Sequence, residues 1–182
     1  TALLDTNVII DVLKLRNGRI QQLIQFVSQE NRLAVTSVVV TEIFMGATPK
    51  QLPAAVELLS SFQFIPVTRS IAERAGLLYY EWRAKGQTLS LPDVTIAAVC
   101  IENGIPLITD NLRHFPMLEL TRITLPEKVS GTSLRVLAPA LLVAFKALLL
   151  GSNFSVLSAA PSQPSNWNTT LAPGHGCNYT IK

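Results

Sequence analysis

Histidine and cysteine are almost missing from this chain, with two of each in 182 residues. His114 falls in a stretch that reads as a loop or short helix and His175 in a polar tail, so neither stands as the base of a Ser-His-Asp set, and His114 reads as a surface residue. Cys100 follows the helical spacing of Ile96, Ala97 and Ile101, where a small buried hydrophobe is expected, and Cys177 is isolated near the end. Two cysteines with no short pairing give neither a zinc signature nor a disulfide framework. The nine glycines include no Walker-type phosphate loop and no Gly-rich dinucleotide turn.

Acid is the second shortage. Residues 129–182 contain no Asp or Glu and hold four of the eleven prolines. An apolar stretch at 134–150 gives way there to a Ser-, Asn-, Pro- and Thr-rich end. Pro139 and Lys146 interrupt that stretch and Arg135 flanks it, so a membrane span is not expected and a helix packed on the domain or on a partner is the preferred reading. The final 25 or so residues read as disordered. Asn153, Asn168 and Asn178 match the N-glycosylation pattern, which is taken as accidental. Residues 128–182 are therefore set apart from the fold, and residues 1–127 are expected to form one self-sufficient domain. Its first strand is expected at the first residues, so no signal peptide is expected ahead of Asp5.

The net charge of +3 lies outside that domain. Residues 1–128 carry twelve Lys and Arg against twelve Asp and Glu, and Arg135, Lys146 and Lys182 make up the excess. A high overall pI is thus no argument for nucleic-acid binding.

Within 1–127 the hydrophobic pattern alternates. Strands are expected at 2–5, 33–36, 63–67, 105–109 and 121–124, and helices at 7–15, 18–29, 38–46, 53–61, 69–85 and from Asp93 to about 103. Gly86 is a suitable helix stop. Strands separated by helices imply parallel pairing and an α/β fold, a three-layer α/β/α sandwich around a central parallel sheet.

Acidic residues then stand at informative junctions: Asp5 in LLDTN, Glu42 in VTEIFMG, Asp93 in LPDVTIAA and Asp110 in LITDN. Asp5 and Asp110 each end an apolar run, and ligands of open α/β sheets bind beyond the carboxyl ends of strands. Helix capping competes as an explanation for Asp5 and Asp110, and Ser90 to Asp93 matches a capping box. Glu42 resists it, because Val38, Val39, Met45 and Gly46 stand three and four positions away and a carboxylate on an apolar face implies a partner.

LLDTNVIID, TEIFMGA, LPDVTIAAVCIENGIPLITDN and NLRHF occur in this order and spacing. From Ala2 to about Glu127 the chain resembles the PIN-domain ribonucleases, most closely the VapC-type toxins of bacterial toxin–antitoxin pairs. The resemblance implies a magnesium- or manganese-dependent endoribonuclease whose metal is held by Asp5, Glu42, Asp93 and Asp110. It also implies that Asn7 and Thr109 are polar side chains beside the metal site that support its ligands, with Asn111 able to share the role of Asp110. A cytoplasmic homodimer held inactive by a small antitoxin protein goes with the same likeness. The chemistry agrees, because hard divalent cations take oxygen ligands and activate phosphodiesters and water. With four acids gathered in one site, the rest of 1–128 is left at about +4, and Arg16, Arg19, Arg83, Lys85 and Arg113 become candidates for gripping RNA phosphates. The competing function is a catalytically silent RNA- or protein-binding module of the same fold, membrane-associated through 134–150. A pure binder, however, has no reason to keep a like-charge cluster that costs stability.

Overall fold

The computed structural model describes residues 1–125 together with Phe145, Ala147 and Leu149. The expectations for the last 25 residues and for Asn153, Asn168 and Asn178 fall outside the described residues.

Ala2–Leu4 forms β1, and all three of its residues are buried. At Asp5 the backbone stays extended while the carboxylate accepts the Thr6 amide, and this opens α1 (Thr6–Leu13). The chain continues through α2 (Arg19–Val27), β2 (Leu33–Thr36), α3 (Ser37–Gly46), α4 (Leu52–Ser60), β3 (Gln63–Ile65), α5 (Arg69–Ala84), α6 (Leu91–Asn103) and β4 (Leu107–Ile108). A 3-10 turn at Leu112–His114 precedes β5 (Arg122–Ile123).

The strands form one sheet in the order β3-β2-β1-β4-β5. Every pairing is parallel, with Leu3 opposite both Ala34 and Leu107, Val35 opposite Phe64, and Ile108 opposite Ile123. Helices α1 to α6 flank the sheet in the expected α/β/α arrangement. The chain builds outward from β1 on one side and then returns to its other side at β4, so strand order reverses at β1 and a crevice opens beyond its carboxyl end.

Helix α6 is the most deeply placed, with Val94 through Cys100 all buried. Such a helix must be apolar on nearly every face. Gly104 closes it at φ +61°, a left-handed conformation, and the chain enters β4 three residues later. Since α6 ends beside the start of β4, its first turn lies at the opposite edge of the sheet, near the carboxyl ends of β1 and β4.

Four strands are shorter than the pattern suggested: β1 lacks its last residue, β5 one at each end, and β3 and β4 fall short by more. β3 stops at Ile65 because Pro66 has no N–H to continue the ladder. β4 does not begin at 105, because the Ile105 amide bonds the Cys100 carbonyl at the end of α6 (3.0 Å) and Pro106 again lacks a donor.

Phe145 and Leu149, both from the apolar stretch at 134–150, are buried in the core, and the Phe145 ring packs 6.4 Å from that of Phe62. Among the described residues no helix is long and apolar enough to cross a membrane.

Candidate active site

Asp5 leaves β1 only 7% exposed. Its Oδ1 accepts the Thr6 amide at 2.7 Å and its Oδ2 accepts the Thr109 hydroxyl at 2.6 Å. Thr109 is wholly buried at the end of β4, and its Oγ1 also accepts the Asn111 amide at 2.9 Å. Burial pushes the Asp5 carboxyl above its ordinary value, the hydrogen bonds from Thr109 and Thr6 oppose this, and the charges of Asp93 and Glu42 add to the rise. The buried Cys100 thiol is also pushed up, first by burial and then by the charge of Asp5, which makes it an inert core side chain.

Glu42 is half-buried on α3, the helix that follows β2. Thr6 reaches it from the first turn of α1 and donates its hydroxyl to Glu42 Oε2 at 2.5 Å. This answers the need for a partner on an apolar helix face.

Asp93 stands in the first turn of α6. Its amide donates to Ser90 Oγ at 3.2 Å, so Ser90 caps the helix, while its Oδ2 accepts the Ser90 hydroxyl at 2.6 Å in place of the backbone N–H that a full capping box would use. Capping and membership of the acidic cluster are therefore one arrangement. A helix that starts at the carboxyl edge of the sheet places its capping carboxylate in the crevice, where the positive ends of α1 and α6 favour negative charge. His114 Nδ1 lies 3.2 Å from Asp93 Oδ2. His114 is 53% exposed, as its surface reading required, but it also touches the acidic cluster.

Asp110 is placed differently. Its carboxylate is paired with Arg19, which also lies 3.4 Å from Asp11 and donates to Gln22 Oε1 at 2.9 Å. Arg19 was expected at the surface gripping phosphates; it is instead 3% exposed and committed to Asp11 and Asp110. Arg16, Arg83, Lys85 and Arg113 are exposed, with Lys85 bonded to Glu81 at 2.6 Å and lying 4.6 Å over the Trp82 ring.

The fold thus gathers Asp5, Glu42 and Asp93, with Thr109 and Asn111 hydrogen-bonded behind Asp5 and the Asp110 side chain turned to Arg19. Sequence reasoning missed Thr6, although a hydroxyl directly after Asp5 in a first helical turn was its available signal. It also missed the contact of His114 with Asp93, because nothing in the spacing joins residues from separate elements.

The donor chemistry suits a hard divalent cation, since the cluster offers carboxylate and hydroxyl oxygens and no sulfur ligand. Asn7 Oδ1, in the first turn of α1, is buried without a hydrogen-bond partner among the described residues. As placed, however, no three or more His, Cys, Asp or Glu side chains among the described residues stand together closely enough to hold a metal ion. One carboxylate oxygen of Glu42 is taken by Thr6, and one of Asp93 by Ser90 and His114, so a bound ion would draw on the other oxygen of each.

Residues 2–117 match the PIN domain family. Ribonuclease VapC19 of Mycobacterium tuberculosis is 29% identical over 115 residues, which cover 63% of this chain and 92% of that protein. Ribonuclease VapC2 of Haemophilus influenzae is 30% identical over 118 residues, 62% of this chain and 88% of that one. A toxin–antitoxin complex from Klebsiella pneumoniae shares the fold at 28% identity and TM-score 0.57, over 70% of this chain and all of that one (100%). DNA-bound VapBC from Salmonella typhimurium is alike in fold alone, at 20% identity and TM-score 0.62 over 69% of this chain and 98% of that one.

Proposed function

The chain belongs to the PIN domain family, and from that premise we propose that it is a metal-dependent endoribonuclease, the toxin of a toxin–antitoxin pair. The observation that carries this reading is the convergence of Asp5, Glu42 and Asp93 at the carboxyl edge of the sheet, where the other two charges help raise the buried Asp5 carboxyl. A fold does not keep like charges together without return, and the oxygen-only donor set points to magnesium or manganese.

In this reading Asp5, Glu42 and Asp93 hold the ion. Bound there, a divalent cation supplies Lewis-acid activation of a phosphodiester and of water. Thr109 fixes the rotamer of Asp5, Thr6 holds Glu42 toward α1, and Ser90 with His114 orients Asp93. Arg113, exposed and next in sequence to His114, is the first candidate for meeting backbone phosphates of an unpaired RNA segment, with the exposed Arg16 a second. The partners that go with this reading are a small antitoxin and a second copy of the chain, in the cytoplasm. It is supported by the relatives named ribonucleases and by the Klebsiella neighbour, which is a toxin–antitoxin complex.

The test is incubation of purified protein with structured RNA in magnesium or manganese, with a chelator control. Cleavage confined to the metal-containing reactions and lost in Asp93→Asn is expected. Cleavage that persists in chelator, or that survives Asp93→Asn unchanged, contradicts the reading.

A further inference from the structure

The Arg19 guanidinium is the most constrained cation in the described structure. Its side chain is 4% exposed, it faces Asp110 and Asp11 on one side and Gln22 on the other, and its Nε is buried without a partner among the described residues. A buried guanidinium is costly unless carboxylates compensate it, so the acids opposite Arg19 are needed there. Asp11 comes from α1 and Asp110 from the turn after β4, 91 residues along the chain from Arg19. Asp110 directly follows Thr109, whose hydroxyl bonds Asp5, so its backbone borders the acidic cluster while its carboxylate turns to Arg19. That side chain is 41% exposed, and the contact that turns it is the one with the guanidinium.

We propose that Arg19 is a positioning residue that holds Asp110 out of the metal site, leaving Asp5, Glu42 and Asp93 as the ligands and lowering the affinity of the site for its cation. This rests on the metal reading above. Arg19 and a divalent ion are rivals for the same carboxylate, and each additional charged ligand tightens a hard-cation site. Removing Arg19 therefore releases a fourth ligand, whereas removing Asp110 takes nothing from the set already in use.

Manganese titrations by calorimetry on the wild type, Arg19→Met, Asp110→Asn, Asp93→Asn and the double variant Arg19→Met/Asp110→Asn separate the cases. Because affinity follows the number of charged ligands, Asp110→Asn is expected to bind within about threefold of wild type, Asp93→Asn at least about tenfold more weakly, and Arg19→Met roughly fivefold more tightly. The double variant returns to the wild-type value. A purely structural arginine gives no gain in affinity on removal, so an unchanged or weakened Arg19→Met overturns the proposal, as does an Asp110→Asn loss equal to that of Asp93→Asn. If Arg19→Met fails to fold, the comparison of Asp110→Asn with Asp93→Asn decides alone. Absence of manganese binding in the wild type removes the metal reading and with it the claim on affinity. The ion pair is judged separately by melts in chelator, where strongly non-additive losses in the double variant support it and additive losses contradict it.

Discussion

At Asp5, burial and the charges of Asp93 and Glu42 act against ionisation, while the Thr109 hydroxyl and the Thr6 amide act for it, and the balance leaves the carboxyl raised. The folded protein therefore holds this proton to higher pH than the unfolded chain does. Between the ordinary carboxylate value and the raised one the folded state binds more protons, so this group's contribution to stability falls as pH rises through that window. Asp5→Asn cannot ionise and can still accept the Thr6 amide. In chelator, denaturation from about pH 4 to pH 8 should show the variant gaining on the wild type as pH rises and losing that advantage toward the ordinary carboxylate range. A difference independent of pH would show that Asp5 is not strained by its charge. Asp5, Asp93 and Asp110 were legible in the sequence because they sit at element junctions, and Glu42 because it is a carboxylate on an apolar helix face. Their partners were not, since Thr6 and Glu42 lie 36 positions apart and Arg19 and Asp110 lie 91 apart, and spacing carries no information on such pairs.

Helix α6 joins the sequence signals to the site. Ser90 caps it, Asp93 stands in its first turn, and Gly104 ends it at φ +61° with open space where a side chain would begin. Gly104→Ala should therefore cost roughly 1 kcal/mol from backbone strain alone, read as a lower midpoint in urea at unchanged slope. An unchanged midpoint would show that the left-handed residue is not needed to turn the chain into β4. Elements of this kind were readable because their punctuation is chemical. Leu33–Thr36 falls where the pattern placed it, and Gly86 follows the end of α5 at φ +82°. The errors lie at Pro66 and Pro106, where apolar periodicity continues past the point at which the backbone has a donor to offer.

Over the whole molecule, the order β3-β2-β1-β4-β5 brings three scattered motifs to one edge of the sheet, since it puts the ends of β1 and β4 side by side with the start of α6 beside them. The alternation of strands and helices foretold parallel pairing, but strand order depends on which faces pack and could not be read along the chain. That the stretch at 134–150 packs on the domain was one of the expected outcomes, but its contact with Phe62 was out of reach, because an apolar stretch does not say what covers it. Phe145→Ala should cost roughly 3 kcal/mol by leaving a cavity. Truncation after Glu127 should still give a cooperative but lower melting transition, because all five strands of the sheet and α1 to α6 precede it. Loss of cooperativity would make the stretch part of the folding unit. The central claim, that the fold holds Asp5, Glu42 and Asp93 together for a divalent cation, is tested most directly by melting wild type, Asp5→Asn and Glu42→Gln in chelator and in saturating manganese. A ligand that binds only the folded state adds RT ln(1 + [L]/Kd), so manganese should stabilise the wild type by about 1–3 kcal/mol and both variants clearly less. Equal manganese shifts in all three proteins would contradict a site built from these carboxylates.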